Sequence, residues 1–135
     1  MNRRDFILSA AALVAAGPAL ALTEYTPGLV QKELAEGKTV FLDFKASWCT
    51  TCAAQERVIS ALKAENPAYE QAISFINVDW DTYSNADLTK SLKIPRRSTL
   101  VVLKGDMELG RIVAGTGRDE IKALMDTALQ AATSA

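Results

Sequence analysis

The sequence predicts an α/β fold, a mixed central β-sheet flanked by helices on both faces. Strand-like runs rich in β-branched and aromatic residues alternate with segments of helical spacing, the order that gives parallel strands joined by crossovers. The last two strand segments are separated only by Lys104-Gly105-Asp106, a turn that folds them back as an antiparallel hairpin. A length of 135 residues, 49% of them apolar, is one domain's worth of chain with enough apolar surface for a core.

Residues 1–21 read as an export signal rather than as part of the fold. Arg3-Arg4 precedes the uncharged stretch from Phe6 to Ala16, Gly17-Pro18 breaks that stretch, and Ala19-Leu20-Ala21 offers a small-x-small cleavage site. The run is short against the ~20 residues of a membrane span. Its Arg-Arg-x-Phe-Ile core resembles a twin-arginine signal, with an ordinary secretory signal and an uncleaved anchor as the alternatives. No cysteine lies near the cleavage point, so a lipoprotein is excluded. The expected destination is a bacterial periplasm, where a cysteine pair can be oxidised.

Residues 22–135 form the domain. Thr26-Pro27 looks like an N-cap with proline at the first helical position, opening a short helix that runs to about Glu36 and stops at Gly37. Thr39 to Phe44 is a buried-strand pattern with one carboxylate, Asp43, inside it. Cys49 to about Glu65 favours helix, with Val58, Ile59 and Leu62 as its apolar stripe and Asn66-Pro67 as its end. Ile73 to Val78 is the next strand. Ser84-x-x-Asp87 resembles a capping box and opens a helix to about Leu92. Thr99 to Leu103 is a fully buried strand, and Glu108 to Val113 pairs back on it. Gly115-Thr116-Gly117 leads into a last helix carrying Ile121, Leu124, Met125 and Leu129, and the tail from Ala131 is expected to fray.

The composition removes several chemistries. Fifteen basic against sixteen acidic residues leave a net charge of −1, which speaks against nucleic-acid binding by counterion displacement. The absence of histidine excludes His acid–base catalysis, Cys–His nucleophile pairs, c-type haem attachment and His-containing zinc sites. The two cysteines, Cys49 and Cys52, are too close together to staple a fold. They are therefore chemical rather than architectural.

Trp48-Cys49-Thr50-Thr51-Cys52 follows a hydrophobic strand and starts a helix. A thiolate at a helix N-terminus meets unpaired backbone N–H groups and the positive end of the dipole, which lowers the pKa of Cys49 and makes it the nucleophile. Cys52, one turn on, is placed to resolve the mixed disulfide. The alternative use of the same pair is half of a metal or iron–sulfur site, completed by carboxylates or a second subunit.

In this stretch the sequence resembles the thioredoxin superfamily. Val40 to Cys52 looks like its strand, active site and helix; Asn77-Val78-Asp79 like the end of its next strand; and Thr99 to Gly105 like the strand and turn after its cis-proline loop, while Gly115 matches a late family glycine. The resemblance is closest to periplasmic thioredoxin-like reductants. It implies a thioredoxin-like fold, a monomer without cofactor beyond the redox-active Cys49–Cys52 pair, protein disulfides as substrates and a membrane electron donor. It makes Asp43 the buried proton acceptor for Cys52. Trp48 becomes a lid beside the dithiol, and Arg97, Ser98 and Thr99 become part of the substrate-binding loop, with Arg96 beside them. Lys45 stands where cytosolic relatives carry an aromatic and is expected to be exposed. Phe75 replaces a lysine that pairs with the aspartate, which leaves Asp43 in apolar surroundings with a raised pKa. Ser98 takes the place of the cis-proline, since Pro95 falls three residues too early. A cis bond before serine costs roughly 3 kcal/mol. Either the fold holds such a bond or the loop is remodelled, and both leave the dithiol more open to metal or to a different partner. Strong oxidants of the superfamily carry a histidine between the cysteines; two threonines here point to a reductant.

Overall fold

The computed structural model describes residues 23–134; the export-signal expectation for residues 1–21 lies outside them. Five strands form one sheet in the order β1-β3-β2-β4-β5, namely β1 (Thr23–Glu24), β2 (Thr39–Lys45), β3 (Ser74–Asp79), β4 (Thr99–Lys104) and β5 (Met107–Val113). β1, β3 and β2 run parallel, while β4 is antiparallel to β2 and to β5. The helices are α1 (Leu29–Ala35), α2 (Thr50–Glu65), α3 (Ala68–Ala72), α4 (Trp80–Tyr83), α5 (Asp87–Ser91) and α6 (Arg118–Thr133). No helix among the described residues is long and apolar enough to cross a membrane.

Side chains alternate across a strand, and β2 shows what that does. Phe41 packs with Ile59 and Leu62 of α2, Tyr69 of α3 and Ile121 and Met125 of α6 on one face. Val40, Leu42 and Phe44 pack on the other face with Val30 of α1 and Leu88 of α5. The mixed sheet thus has a core on each side, as expected, and β2 lies at its centre. Asp43, in register with Asn77 of β3 and Leu100 of β4, shares the α2 side with Phe41.

The sequence pattern missed β1, α3 and α4, each too short to show a period. Three boundary expectations are corrected. Thr26 does not cap α1: Gly28, at φ +91°, is the N-cap, and the backbone first makes a turn in which Leu29 N–H donates to Thr26 O. A glycine in the left-handed region delays the helix by two residues. Ser84 does not cap α5; it closes α4, and Ala86 precedes α5 with no side-chain cap. The C-terminal tail does not fray at Ala131. α6 continues to Thr133, and Lys104 Nζ donates to Ala131 O at 2.5 Å, joining the helix end to β4.

Candidate active site

β2 ends at Lys45, and a short turn in which Cys49 N–H donates to Ala46 O sets Cys49 as the N-cap of α2. The first turn of a helix has N–H groups without intrahelical partners. One of them, that of Cys52, donates to Cys49 Sγ at 3.1 Å. Both cysteines are free and buried, with Cys49 5% exposed and Cys52 1%. Burial pushes the Cys49 thiol up, but hydrogen bonds from Cys52 and Ser98 and the nearby Arg97 guanidinium outweigh it, bringing the thiol down to about 7. Cys52 moves the other way: burial, and the Cys49 sulfur beside it, raise its pKa. The pair is thus polarised, Cys49 lowered and Cys52 raised, with the side-chain contacts of Cys52 and Ser98 ahead of the backbone N–H among the causes. Cys49 and Cys52 border a groove of about 470 Å³ together with Lys45, Ala46, Ser47 and Glu56.

Behind the groove lies a second cavity of about 320 Å³ under α2, lined by Phe41, Asp43, Ile59, Lys63 and Phe75, with Glu56 and Asn77 bordering both spaces. Asp43 sits in its wall, buried, and its Oδ1 has no hydrogen-bond partner among the described residues. Burial raises its pKa to about 7; Lys45 and Lys63 pull against this, Glu56 and Cys49 with it. The expected apolar neighbour is present in Phe75. Lys63 from α2 lies with its Nζ 3.9 Å from the centre of that ring and 3.6 Å from Glu70. Burial lowers the pKa of this lysine. Lys45 is not the exposed lysine expected: it is largely covered and pairs with Glu56 Oε1 at 2.7 Å, because the α2 helix passes directly over the end of β2.

The loop before β4 completes the site. No peptide bond among the described residues is cis, so the bond before Ser98 is trans, and Ser98 adopts φ +67°. Of the two possibilities the sequence left open, the loop is remodelled. It does not open the dithiol, however. Ser98 is fully buried, and its Oγ lies 3.2 Å from Cys49 Sγ and 3.1 Å from Cys52 Sγ. Thr99 is fully buried too, and its hydroxyl donates to Arg96 O, closing the loop from within. Arg96 folds onto the same loop by donating from Nε to Arg97 O. Arg97 lies with its guanidinium carbon 4.6 Å from the centre of a Trp48 ring. Trp48, 57% exposed, is held by its Nε1–H donating to the Asp81 carboxylate at 3.0 Å. It therefore stands on the surface beside Arg97 rather than forming the lid expected; the tryptophan packed against Ala46, Cys49 and Cys52 is Trp80.

The structure brings Cys49, Cys52, Trp48, Arg97 and Ser98 together around the sulfurs and places Asp43 on the sheet behind them. Sequence reasoning missed Gln55, Lys63, Glu56 and Trp80. Gln55 is fully buried and its Nε2 donates both to Ser98 O and to Gly115 O, tying α2 to two loops. A glutamine one turn past a helix-start cysteine, on the same face as Ile59 and Leu62, is the pattern that marks it. Among the described residues there is no group of three or more His, Cys, Asp or Glu side chains placed to hold a metal ion.

Known proteins agree with this geometry. The sequence matches the Thioredoxin family over residues 22–127. It is 34% identical over 91 residues to "Thioredoxin H-type" of Fagopyrum esculentum, covering 67% of this chain and 72% of that protein. It is 30% identical over 97 residues to "Thioredoxin H2-1" of Oryza sativa subsp. japonica, covering 72% of this chain and 65% of that one. Among solved structures, Trxlp from Edwardsiella tarda EIB202 superimposes with a TM-score of 0.64 at 28% identity, covering 78% of this chain and 95% of that chain. A Malassezia sympodialis thioredoxin, at 23% identity and a TM-score of 0.66, shares the fold, covering 81% of this chain and 94% of its own. With the Cys49–Cys52 pair at the start of α2 and the five-stranded mixed sheet behind it, the chain belongs to the thioredoxin family of thiol–disulfide oxidoreductases, which act on protein disulfides and need no cofactor.

Proposed function

We propose that this protein is an exported, periplasmic disulfide reductant, supplied with electrons by a membrane donor and acting as a monomer on protein disulfides. The feature that carries the direction is what faces Cys49 Sγ: a backbone N–H, the Ser98 hydroxyl and one guanidinium, which together bring its thiol to about 7. Strong oxidants hold their nucleophile near about 3.5, whereas reductants of the same chemistry sit near about 7. Thr50 and Thr51 between the cysteines add no charge, in keeping with that position.

The exchange follows from the geometry. Cys49 thiolate attacks a substrate disulfide, forming a Cys49–substrate bond and expelling one substrate sulfur as thiolate. Cys52 then loses its proton, attacks Cys49 and releases the second substrate sulfur, so that two electrons pass from the dithiol to the substrate. Cys52 keeps its proton at neutral pH and needs an acceptor; Asp43, with a pKa of about 7 and a free oxygen, is suited to that role by its affinity for protons. The exposed Trp48 and the half-buried Arg97 beside its ring are the surface a substrate meets. Arg97 favours both the thiolate and substrate segments carrying carboxylates.

Three measurements test this reading. Equilibration of Cys49–Cys52 with glutathione gives a couple well below that of strong oxidants; a value near theirs overturns the direction. Cys52→Ala, expressed with its leader in a bacterial host, accumulates mixed disulfides through Cys49 with periplasmic proteins; capture of cytoplasmic proteins alone overturns the location. Replacing Arg96 and Arg97 together by alanine raises the Cys49 titration midpoint, and an unchanged titration removes the arginines from the site's electrostatics.

A further inference from the structure

We propose that Ser98 is a positioning residue whose hydroxyl bridges the two sulfurs, fixing Cys52 as the proton-bearing partner and favouring the dithiol over the disulfide. The inference rests on thiol–disulfide exchange at Cys49–Cys52 and not on its direction.

Each contact alone leaves the donor open, and the acceptor character of Cys49 selects one arrangement. Oγ lies within hydrogen-bonding reach of both sulfurs, at 3.2 Å and 3.1 Å, in a fully buried position. A hydroxyl has one proton to give and lone pairs to receive. Cys49 Sγ already accepts from the Cys52 backbone N–H and sits at the helix N-terminus, so it is the acceptor of the pair. The serine O–H therefore donates to Cys49, and the Cys52 S–H donates to the serine oxygen. The chain of donors runs from Cys52 through Ser98 to Cys49.

The backbone of Ser98 is committed elsewhere, so the hydroxyl cannot drift. Its N–H donates to Phe44 O at 2.7 Å, and its carbonyl accepts from Ala114 N–H at 2.8 Å and from Gln55 Nε2 at 3.0 Å. These bonds hold it at φ +67°, a conformation that a residue with a Cβ enters at a cost and glycine enters freely. A strained serine where glycine would be relaxed, with its only polar side-chain atom on two reactive sulfurs, is a placement that pays in chemistry.

The consequence lies in the oxidised state. A thiolate at Cys49, a thiol at Cys52 and a substrate disulfide give the enzyme disulfide, one substrate thiolate and one substrate thiol, so charge and protons balance. The product no longer contains the thiolate that accepted from Ser98 or the thiol that donated to it. A buried hydroxyl then faces a disulfide, a poor hydrogen-bond partner, and the reduced state is favoured by the difference.

The experiment compares Ser98→Gly and Ser98→Ala with the unaltered protein. The first relaxes the backbone and the second keeps the Cβ; both lack the hydroxyl. The readouts are the pH titration of thiolate absorbance and the equilibrium with glutathione. In both variants the Cys49 midpoint rises, and the equilibrium moves about tenfold toward the disulfide, a change of about 30 mV for a two-electron couple. A shift in neither variant, or in only one of them, overturns the proposal. The potential of the unaltered protein separately decides whether it is a reductant.

Discussion

Asp43 is the residue at which function and stability pull in opposite directions. Burial raises its folded pKa to about 7, whereas an unfolded aspartate titrates near about 4. Between these values the folded chain holds a proton that the unfolded chain has released. Stability contributed by the protonated carboxyl is complete below about pH 4, falls as pH rises through this window and levels off above about 7. Three pKa units correspond to roughly 4 kcal/mol. Asp43→Asn should therefore unfold at higher urea concentration than the native protein at pH 8 and lose that advantage at pH 4. Its release of substrate from the Cys49 mixed disulfide should slow. An equal stability difference at both pH values would mean that the carboxyl is ionised in the fold. At this scale the sequence was most informative where chemistry is local: the cysteine spacing and its place between strand and helix give Cys49 its role. It was least informative where the environment comes from elsewhere in the chain. Phe75 could be read as removing a partner from Asp43, but nothing in the order of residues showed that Lys63 would reach from α2 to lie on that ring.

Among the elements, α2 carries the most. It supplies the N-terminus for Cys49, the apolar face of Ile59 and Leu62 for the core, and, through Gln55, a brace to the loops before β4 and after β5. Gln55→Ala leaves the carbonyl of Gly115 without this donor and removes one of two donors from Ser98. A buried hydrogen-bonding group left unsatisfied costs about 1–3 kcal/mol. The expected result is a loss of stability of that size together with faster amide exchange at Ala114, whose N–H donates to Ser98 O. A loss of stability without faster exchange there would confine the role of Gln55 to packing. α2 and α6 were legible from the helical spacing of their apolar residues, and β2 and β4 as short, continuously buried runs of β-branched and apolar residues. The two-residue β1 and the four- and five-residue helices α3, α4 and α5 are held by tertiary contacts and give little or no repeat to read. The same reason explains the misplaced caps. Ser84 has the composition of an N-cap, but α4, invisible in the pattern, ends there.

For the whole molecule, the sheet begins almost as soon as the described chain does. Thr23 and Glu24 pair with Ile76 and Asn77, and the next residue, Tyr25, is buried edge-on against Tyr83 at a ring separation of 4.8 Å. The comparison that tests this edge is between a chain without residues 1–21 and one without residues 1–25. Removing residues 1–25 strips β3 of its outer partner and exposes the Tyr83 side of the core, with an expected loss of about 2–4 kcal/mol, the range of a large buried side chain. Equal stability of the two truncated chains would show that β1 contributes only an ornament to the edge. The alternation of strands and helices was enough to assign the architecture, because crossover connections leave few ways to arrange it. Which face each helix covers emerged only from the two packed cores.

The trans bond at Ser98 reaches beyond the sulfurs. Its amide and carbonyl are already spoken for by Phe44, Ala114 and Gln55. A visiting polypeptide cannot add itself at this residue as one more strand, the mode in which main-chain pairing supplies grip and ignores sequence. With pairing closed at this residue, a visitor's side chains should weigh more in its choice, and peptides differing only in what they offer the Trp48 indole and the Arg97 guanidinium should be reduced at different rates.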